Sequence, residues 1–304
     1  MSGGRRALLR PLSLYASGDS SGRVSLEKLC NGDMRPQMTG AVELGTLVDL
    51  ILRGGWPGSR DLPPERAARL PEEYLNVVLD QARRHNDGVR PDPSELRLVL
   101  RSLARNESRA VDGEALMRDI KAAEGVEVDL DTVRACLDLF RRLSLTDDQP
   151  PFLAPIISYA RVKGKVKRHF SDPSLACALL GATHESLMQD PETLERLFEA
   201  LCARDLRIYA ESFGAALYHY RDDGNRRFDA VIERPDGRWC GFAIVLCEKR
   251  VNDAAVNLKG IRREIVRDPK VIWPDALCVL CGVLDAAYRR LDGVLVVPIT
   301  ALRE

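Results

Sequence analysis

Residues Phe228 to Leu246, FDAVIERPDGRWCGFAIVL, place two apolar runs on either side of a Pro-Asp-Gly turn. A turn of this kind between β-branched and aromatic runs predicts a β-hairpin. Asp229 puts a carboxylate near the start of the first strand. Further apolar runs surround the pair: LRIYA and ALYHY before it, ALCVLCG and GVLVVPI after it. Helical patterns lie between them. Strands mixed with helices on either side predict an α+β chain whose C-terminal part is an α/β sandwich.

At 304 residues the chain is long enough for two or three domains. Its 45 basic and 45 acidic residues cancel, so no global field draws it to nucleic acid, and any such partner must be met by a local patch. The eight cysteines do not read as a disulfide set. Cys177, Cys202, Cys240, Cys247 and Cys278 lie in apolar helix or strand patterns, which predicts buried thiols in a reducing cytoplasm. Cys278 and Cys281 have the spacing of half a zinc knuckle, but no second Cys/His pair lies nearby, and no metal is expected. The N-terminus lacks a continuous apolar stretch of signal-peptide type, and no window approaches a membrane span.

Residues 1–58 open with a Ser/Gly-rich loop and carry one helix, with Leu44, Leu47, Val48 and Ile51 at helical spacing and Gly54-Gly55 at its end. The segment is too small for a core of its own. Residues 59–93 read as a helical linker, with Tyr74, Val77 and Val78 on one face and a boundary at VRPDP. Residues 94–150 hold three short helices. Leu96, Val99, Leu100 and Leu103 mark the first, Leu116, Met117 and Ile120 the second. Val133, Cys136, Leu137 and Phe140 mark the third, with Asp131 as the expected N-cap. The strand-like LSLT and the turn DDQPP follow, a succession that predicts a winged helix-turn-helix. Residues 151–304 would form the last domain, beginning with strand, basic turn and strand over FLAPIISYARVKGKVKRHF. Leu194, Leu197, Phe198 and Leu201 then mark an amphipathic helix.

The runs RVKGKVKRHFSDPSLACALLGAT, LFEALCARDLRIYA, LYHYRDDGNRRFDAVIERPDG and DGVLVVPITAL resemble a bacterial family of AAA-type ATPases. Members carry a C-terminal domain of unknown function that is itself similar to PD-(D/E)xK nucleases. RPLSLYASGDSSGRVSLEKL and LVDLILRGGWP look like family segments that follow the ATP-binding core. The resemblance implies that 1–58 is a remnant of the ATPase lid, that 94–150 is winged-helix-like, and that 151–304 is a restriction-endonuclease-like domain.

Two departures decide what chemistry the resemblance can carry. The Gly-x-x-x-x-Gly-Lys-Ser/Thr loop, whose amides and Lys cradle phosphates, occurs nowhere in the sequence, so ATP is expected only in full-length family members. The family commonly reads Phe-Glu-Ile-Lys-Leu-Gly where this chain has Phe242, Ala243, Ile244, Val245, Leu246 and Cys247. A metal-dependent nuclease needs carboxylates for Mg²⁺ and a Lys near the attacking water. Ala243 and Val245 supply neither. Glu199 and Asp229 are the remaining family-matched acids, and Arg227 stands where the family often has another. Glu248 and Lys249 are adjacent rather than alternating, which predicts loop residues.

Phosphate contacts would fall to Arg161, Lys163, Lys165, Lys167 and Arg168, four of which alternate along an expected strand, and to Arg134 and Arg141 on the third helix. Asp138 on that helix opposes them. The histidines, His85, His169, His184 and His219, have no ligand-spaced partners. The expectation is a non-catalytic module that binds DNA or protein. The alternatives are a Mg²⁺-dependent nuclease with a remodelled site and a docking subunit, self-associating or paired with a separately encoded ATPase.

Overall fold

The computed structural model describes residues 10–84, 92–152, 164–222, 224, 226–265 and 272–304. The early helices are α1 (Leu26–Cys30), α2 (Leu44–Arg53), α3 (Pro64–Ala67) and α4 (Leu70–Arg84). A central group follows, with α5 (Pro93–Arg105), α6 (Gly113–Glu124) and α7 (Leu130–Arg142). Next come α8 (Pro173–Leu180), α9 (His184–Gln189), α10 (Pro191–Ser212) and α11 (Val251–Ile265). The strands are β1 (Val24–Ser25), β2 (Gln37–Met38), β3 (Ala216–Arg221), β4 (Arg227–Glu233) and β5 (Trp239–Cys247), then β6 (Ala276–Val283), β7 (Ala286–Arg289), β8 (Leu295–Pro298) and β9 (Leu302–Arg303).

Among the described residues, seven strands form one mixed sheet in the order β2-β7-β8-β6-β5-β4-β3. The β4–β5 hairpin forms around the Pro-Asp-Gly turn with Glu233 opposite Trp239. β5, β6 and β8 run parallel, and their near-continuous apolar sequences suit strands buried on both faces. One face packs Phe242, Cys240 and Leu280 against Leu194, Leu197, Phe198 and Leu201 of α10. The other packs Val231, Ala243 and Val279 against Val251, Ala255 and Leu258 of α11.

LRIYA, expected as a strand, is instead the continuation of α10. Leu206, Tyr209 and Ala210 extend the helical period of Leu194, Leu197 and Leu201, and all three are buried. The Tyr209 hydroxyl also donates to Asp205 Oδ2, one turn earlier, at 3.2 Å. Packing on the sheet overrides the local β propensity of Ile208 and Tyr209.

The stretch from α5 to α7 contains the three expected helices. α7 is capped by Asp129, whose Oδ1 accepts from Thr132 N at 2.8 Å, rather than by Asp131. Asp131 lies in the first turn and pairs with Arg134. Residues 167–170 meet the flanking chain through the bridges Ala110↔Lys167, Gln149↔Lys167 and Thr146↔Phe170.

The N-terminal segment shares the main core instead of building one. β1 pairs with β9 and β2 with β7, so residues 24–38 engage strands from the end of the chain. A buried ionic knot holds the rest. Arg204 on α10 reaches Asp172 Oδ2 at 2.8 Å and Asp205 Oδ1 at 2.7 Å. The same carboxylates accept from Gly55 N and Leu14 N, each at 2.9 Å. Gly54, at φ 67°, lies so close that a Cβ would collide with Ser174 and Asp172. Among the described residues, no helix is long and apolar enough to cross a membrane.

Candidate functional site

Asp229 sits at a β-bulge. Tyr220 pairs with Phe228 and Tyr218 with Val231, so two residues of β4 oppose one of β3. On the other side the β4–β5 ladder ends at Ala230↔Phe242. The Asp229 carboxylate takes over there, its Oδ2 accepting from Ile244 N at 2.9 Å. Arg227 Nε lies 2.8 Å from Oδ1, but out of line for a hydrogen bond, so this buried oxygen has a charge contact only.

Glu199 approaches from α10. The Lys167 ammonium lies 2.5 Å from Glu199 Oε1 and 2.9 Å from the Asp229 carbonyl oxygen. Both side chains are largely enclosed, at 7% and 14% exposure. Burial raises the Glu199 pKa while Lys167 opposes the rise, and the Asp229 charge adds to it. Four charged groups therefore meet here: two carboxylates, one ammonium and one guanidinium.

A polar chain leads away from this cluster. Gln149 Nε2 donates to the carbonyls of Tyr218 at 2.6 Å and Asp229 at 3.2 Å. Its Oε1 therefore faces His169 Nε2, 3.2 Å away, which must be the donor. His169 Nδ1 is 2.9 Å from Glu107 Oε1, in a fully buried setting. Burial pushes Glu107 up to about 8, against amide hydrogen bonds from Phe170 and Ser108. Burial, reinforced by Lys167, holds His169 well below its ordinary value. At neutral pH Glu107 is the protonated partner and donates to a neutral imidazole. His219, with Nε2 3.0 Å from the Lys165 carbonyl, is lowered by burial to about 3.

Two cavities of about 230 and 340 Å³ share Ser108, Arg109, Glu199 and Arg227 in their walls. The smaller reaches Val245 and Arg250; the larger reaches Lys167, His219 and Tyr220. Ser108 occupies a left-handed backbone conformation, φ 60°, and is fixed there by Oγ donating to the Arg196 carbonyl at 2.8 Å.

These residues do not fit a nuclease-type divalent ion. Asp229 is engaged by Ile244 N and Arg227, and Glu199 by Lys167. Ala243, 5% exposed, packs in the apolar cluster beneath α11. Glu248 and Lys249 are exposed in the turn after β5.

The expected phosphate contacts are dispersed. Arg161 and Lys163 lie outside the described residues, as does His85. Lys167 is buried, and Arg168, only 12% exposed, pairs with Asp148. Neither presents its charge on an open surface, because each compensates an enclosed carboxylate. Lys165 pairs with Asp112 at 2.6 Å, Arg134 with Asp131 at 3.2 Å and Arg141 with Asp138 at 2.8 Å. These three remain exposed. Glu107, Gln149 and Lys167 are site residues that sequence pattern alone assigns to no common place; their partners lie 62, 80 and 32 positions away.

Residues 44–186 match the model of a domain of unknown function, DUF8612. The match runs from α2 into α9 and stops short of α10 and strands β3–β9. No curated protein and no solved structure is matched.

Proposed function

We propose that this chain is a non-catalytic binding module on a nuclease-like scaffold, related to the C-terminal part of AAA-type ATPases. One observation carries the reading: Lys167 and Arg227 already neutralise Glu199 and Asp229, the two acids a nuclease would offer to a metal. The order helix, three antiparallel strands, helix, parallel strand around these acids supports the PD-(D/E)xK comparison. The three helices α5–α7, with the bridged segments after them, support the winged-helix comparison for 94–150.

For the partner, the exposed Lys165, Arg134 and Arg141 favour a phosphate backbone. Their ion pairs are solvent-exposed, worth about 0–1 kcal/mol each, and can be exchanged for phosphates. Titration of duplex DNA over a range of salt tests this. Binding that weakens steeply with salt, without Mg²⁺-dependent cleavage, is the expected result. Cleavage of plasmid that is abolished by Asp229→Ala would establish the remodelled nuclease instead.

Protein docking is the second reading, favoured because every described member of the expected basic set has an acidic partner. Absence of DNA binding at low salt, with co-elution of a separately encoded ATPase, would select it.

A further inference from the structure

We infer that a third cavity, which shares no wall residue with the other two, binds a nucleoside monophosphate unit, either free or as the unpaired end of a nucleic-acid strand. The base would lie on Trp56 and Tyr74, and the phosphate at Arg141 and the hydroxyls beside it. The inference goes beyond the backbone reading: it names a site within the matched segment 44–186 and needs no duplex.

The cavity holds about 400 Å³, within the ~300–1,000 Å³ of small-molecule sites. Separate stretches of chain build it. Trp56 follows α2, Tyr74 lies on α4, Arg141 is in the last turn of α7, Ser144 and Thr146 come just after it, and Ser171 precedes α8. The rings of Trp56 and Tyr74 stand 4.6 Å apart at 42°, and the indole is pinned by Nε1 donating to Ser174 Oγ at 2.9 Å. Fixed aromatic surface of this kind is a platform on which bases stack. The polar part of the wall is fixed as well. Thr146 bridges to Phe170, and Ser171 N donates to the Leu145 carbonyl at 2.9 Å, so two hydroxyl-bearing stretches lie side by side. Ser144 sits at φ 57°, the left-handed position past a helix end that ordinarily favours glycine. A hydroxyl is carried there against the backbone preference.

The hydroxyls of Tyr74, Ser144, Thr146 and Ser171 make no hydrogen bond among the described residues, although all four residues line the cavity. Burial alone pushes the Tyr74 hydroxyl up. Unused donors gathered in one cavity point to a ligand rich in acceptors. Charge sets its sign. Arg10 and Arg141 line the cavity against Asp147, and that carboxylate already has Arg10 and Arg207. Arg141 is held only by an exposed pair with Asp138, which a ligand oxygen can replace. A guanidinium fork with three hydroxyls matches the three oxygens of a phosphate monoester better than the two of a carboxylate. The Tyr74 hydroxyl suits the polar edge of a base, which a hydrocarbon ring lacks.

The test is calorimetric titration of the full chain with AMP, adenosine and inorganic phosphate, repeated on Arg141→Ala, Ser144→Gly and Tyr74→Leu. AMP should bind at a single site, with adenosine and phosphate each weaker by about tenfold or more. Arg141→Ala and Tyr74→Leu should each weaken AMP by about tenfold. Ser144→Gly should weaken it by about fivefold with the melting temperature unchanged or raised, because glycine relieves the left-handed backbone. Should Tyr74→Leu not fold, Arg141→Ala and Ser144→Gly carry the test, since one alters an exposed side chain and the other relieves strain. A single-stranded oligonucleotide with a 5′-phosphate separates the two sources. Tyr74-dependent binding tighter than that of AMP assigns the site to strand ends, and AMP bound more tightly assigns it to the free nucleotide.

No saturable binding of AMP or of the oligonucleotide at millimolar concentration overturns the proposal. So does AMP binding that is unchanged in Arg141→Ala or in a folded Tyr74→Leu, or phosphate bound as tightly as AMP. Duplex DNA enters none of these titrations, so their outcome is read separately from that of the backbone interface.

Discussion

The Nζ of Lys167 lies 2.5 Å from Oε1 of Glu199, joining the segment after α7 to the long helix that covers the sheet. The pair makes an enclosed carboxylate a tie between two parts of the chain. The same logic recurs at Arg227 with Asp229 and at Arg204 with Asp172 and Asp205. Lys167 with Glu199 and Arg204 with Asp172 each join residues 32 positions apart around an enclosed charge, whereas Arg227 and Asp229 are near neighbours on β4.

Arg204→Ala is expected to destabilise the protein by about 3–5 kcal/mol, because it strands two fully buried carboxylates. Urea denaturation measures this. A loss below about 1 kcal/mol would mean that Gly55 N, Leu14 N and Ser174 satisfy the acids without the guanidinium.

Glu107 gives stability a slope with pH. Its folded pKa of about 8 lies above the unfolded value of about 4.3, so the native state holds the extra proton between them. Stability from this group is full below about pH 4.3 and falls as pH rises to about 8. His169 and His219 act oppositely, since their lowered folded values cost stability as pH falls below about 6.5. From about pH 6.5 to 8 the Glu107 contribution therefore stands clear of theirs. Glu107→Gln should flatten that part of the profile, as read by chemical denaturation at several pH values.

Ala243→Glu tests whether the motif can simply be restored. Ala243 is buried among Val231, Val251 and Val279, so an added carboxylate is desolvated there without a partner. A loss of more than about 2 kcal/mol is expected, easing at low pH as the carboxyl protonates. An unchanged denaturation midpoint at neutral pH would show that the side chain escapes to the cavity.

Arg134→Ala and Arg141→Ala should each change stability by less than about 0.5 kcal/mol, since both side chains are mostly exposed. If α7 lies against DNA, each removes about 0.9 from the slope of log binding constant against log salt. Slopes unchanged in both variants would take α7 out of the interface.

The strand pattern was legible where periodicity and turn chemistry agreed, as at FDAVIE, Pro-Asp-Gly and WCGFAIVL. It misled at LRIYA, whose residues favour strands locally but complete the buried stripe of α10. The two-residue strands β1, β2 and β9 carry too few residues for any period to show, and they form only because distant partners hold them. For the site, Glu199, Asp229, Ala243 and Val245 were identified from a resemblance. The ammonium from a basic run expected at the surface was not, because no local pattern encodes which lysine turns inward. Glu107 and His169 were equally hidden, as isolated residues whose pairing exists only in three dimensions.

The most direct measurement is a double-mutant cycle on Lys167→Ala and Glu199→Gln by equilibrium denaturation. If the acid serves the fold through Lys167, each single variant loses about 3–5 kcal/mol and the double loses much less than their sum, a coupling of about 0.5–3 kcal/mol. Additive losses, with no coupling, would contradict the claim that Glu199 serves the fold through Lys167.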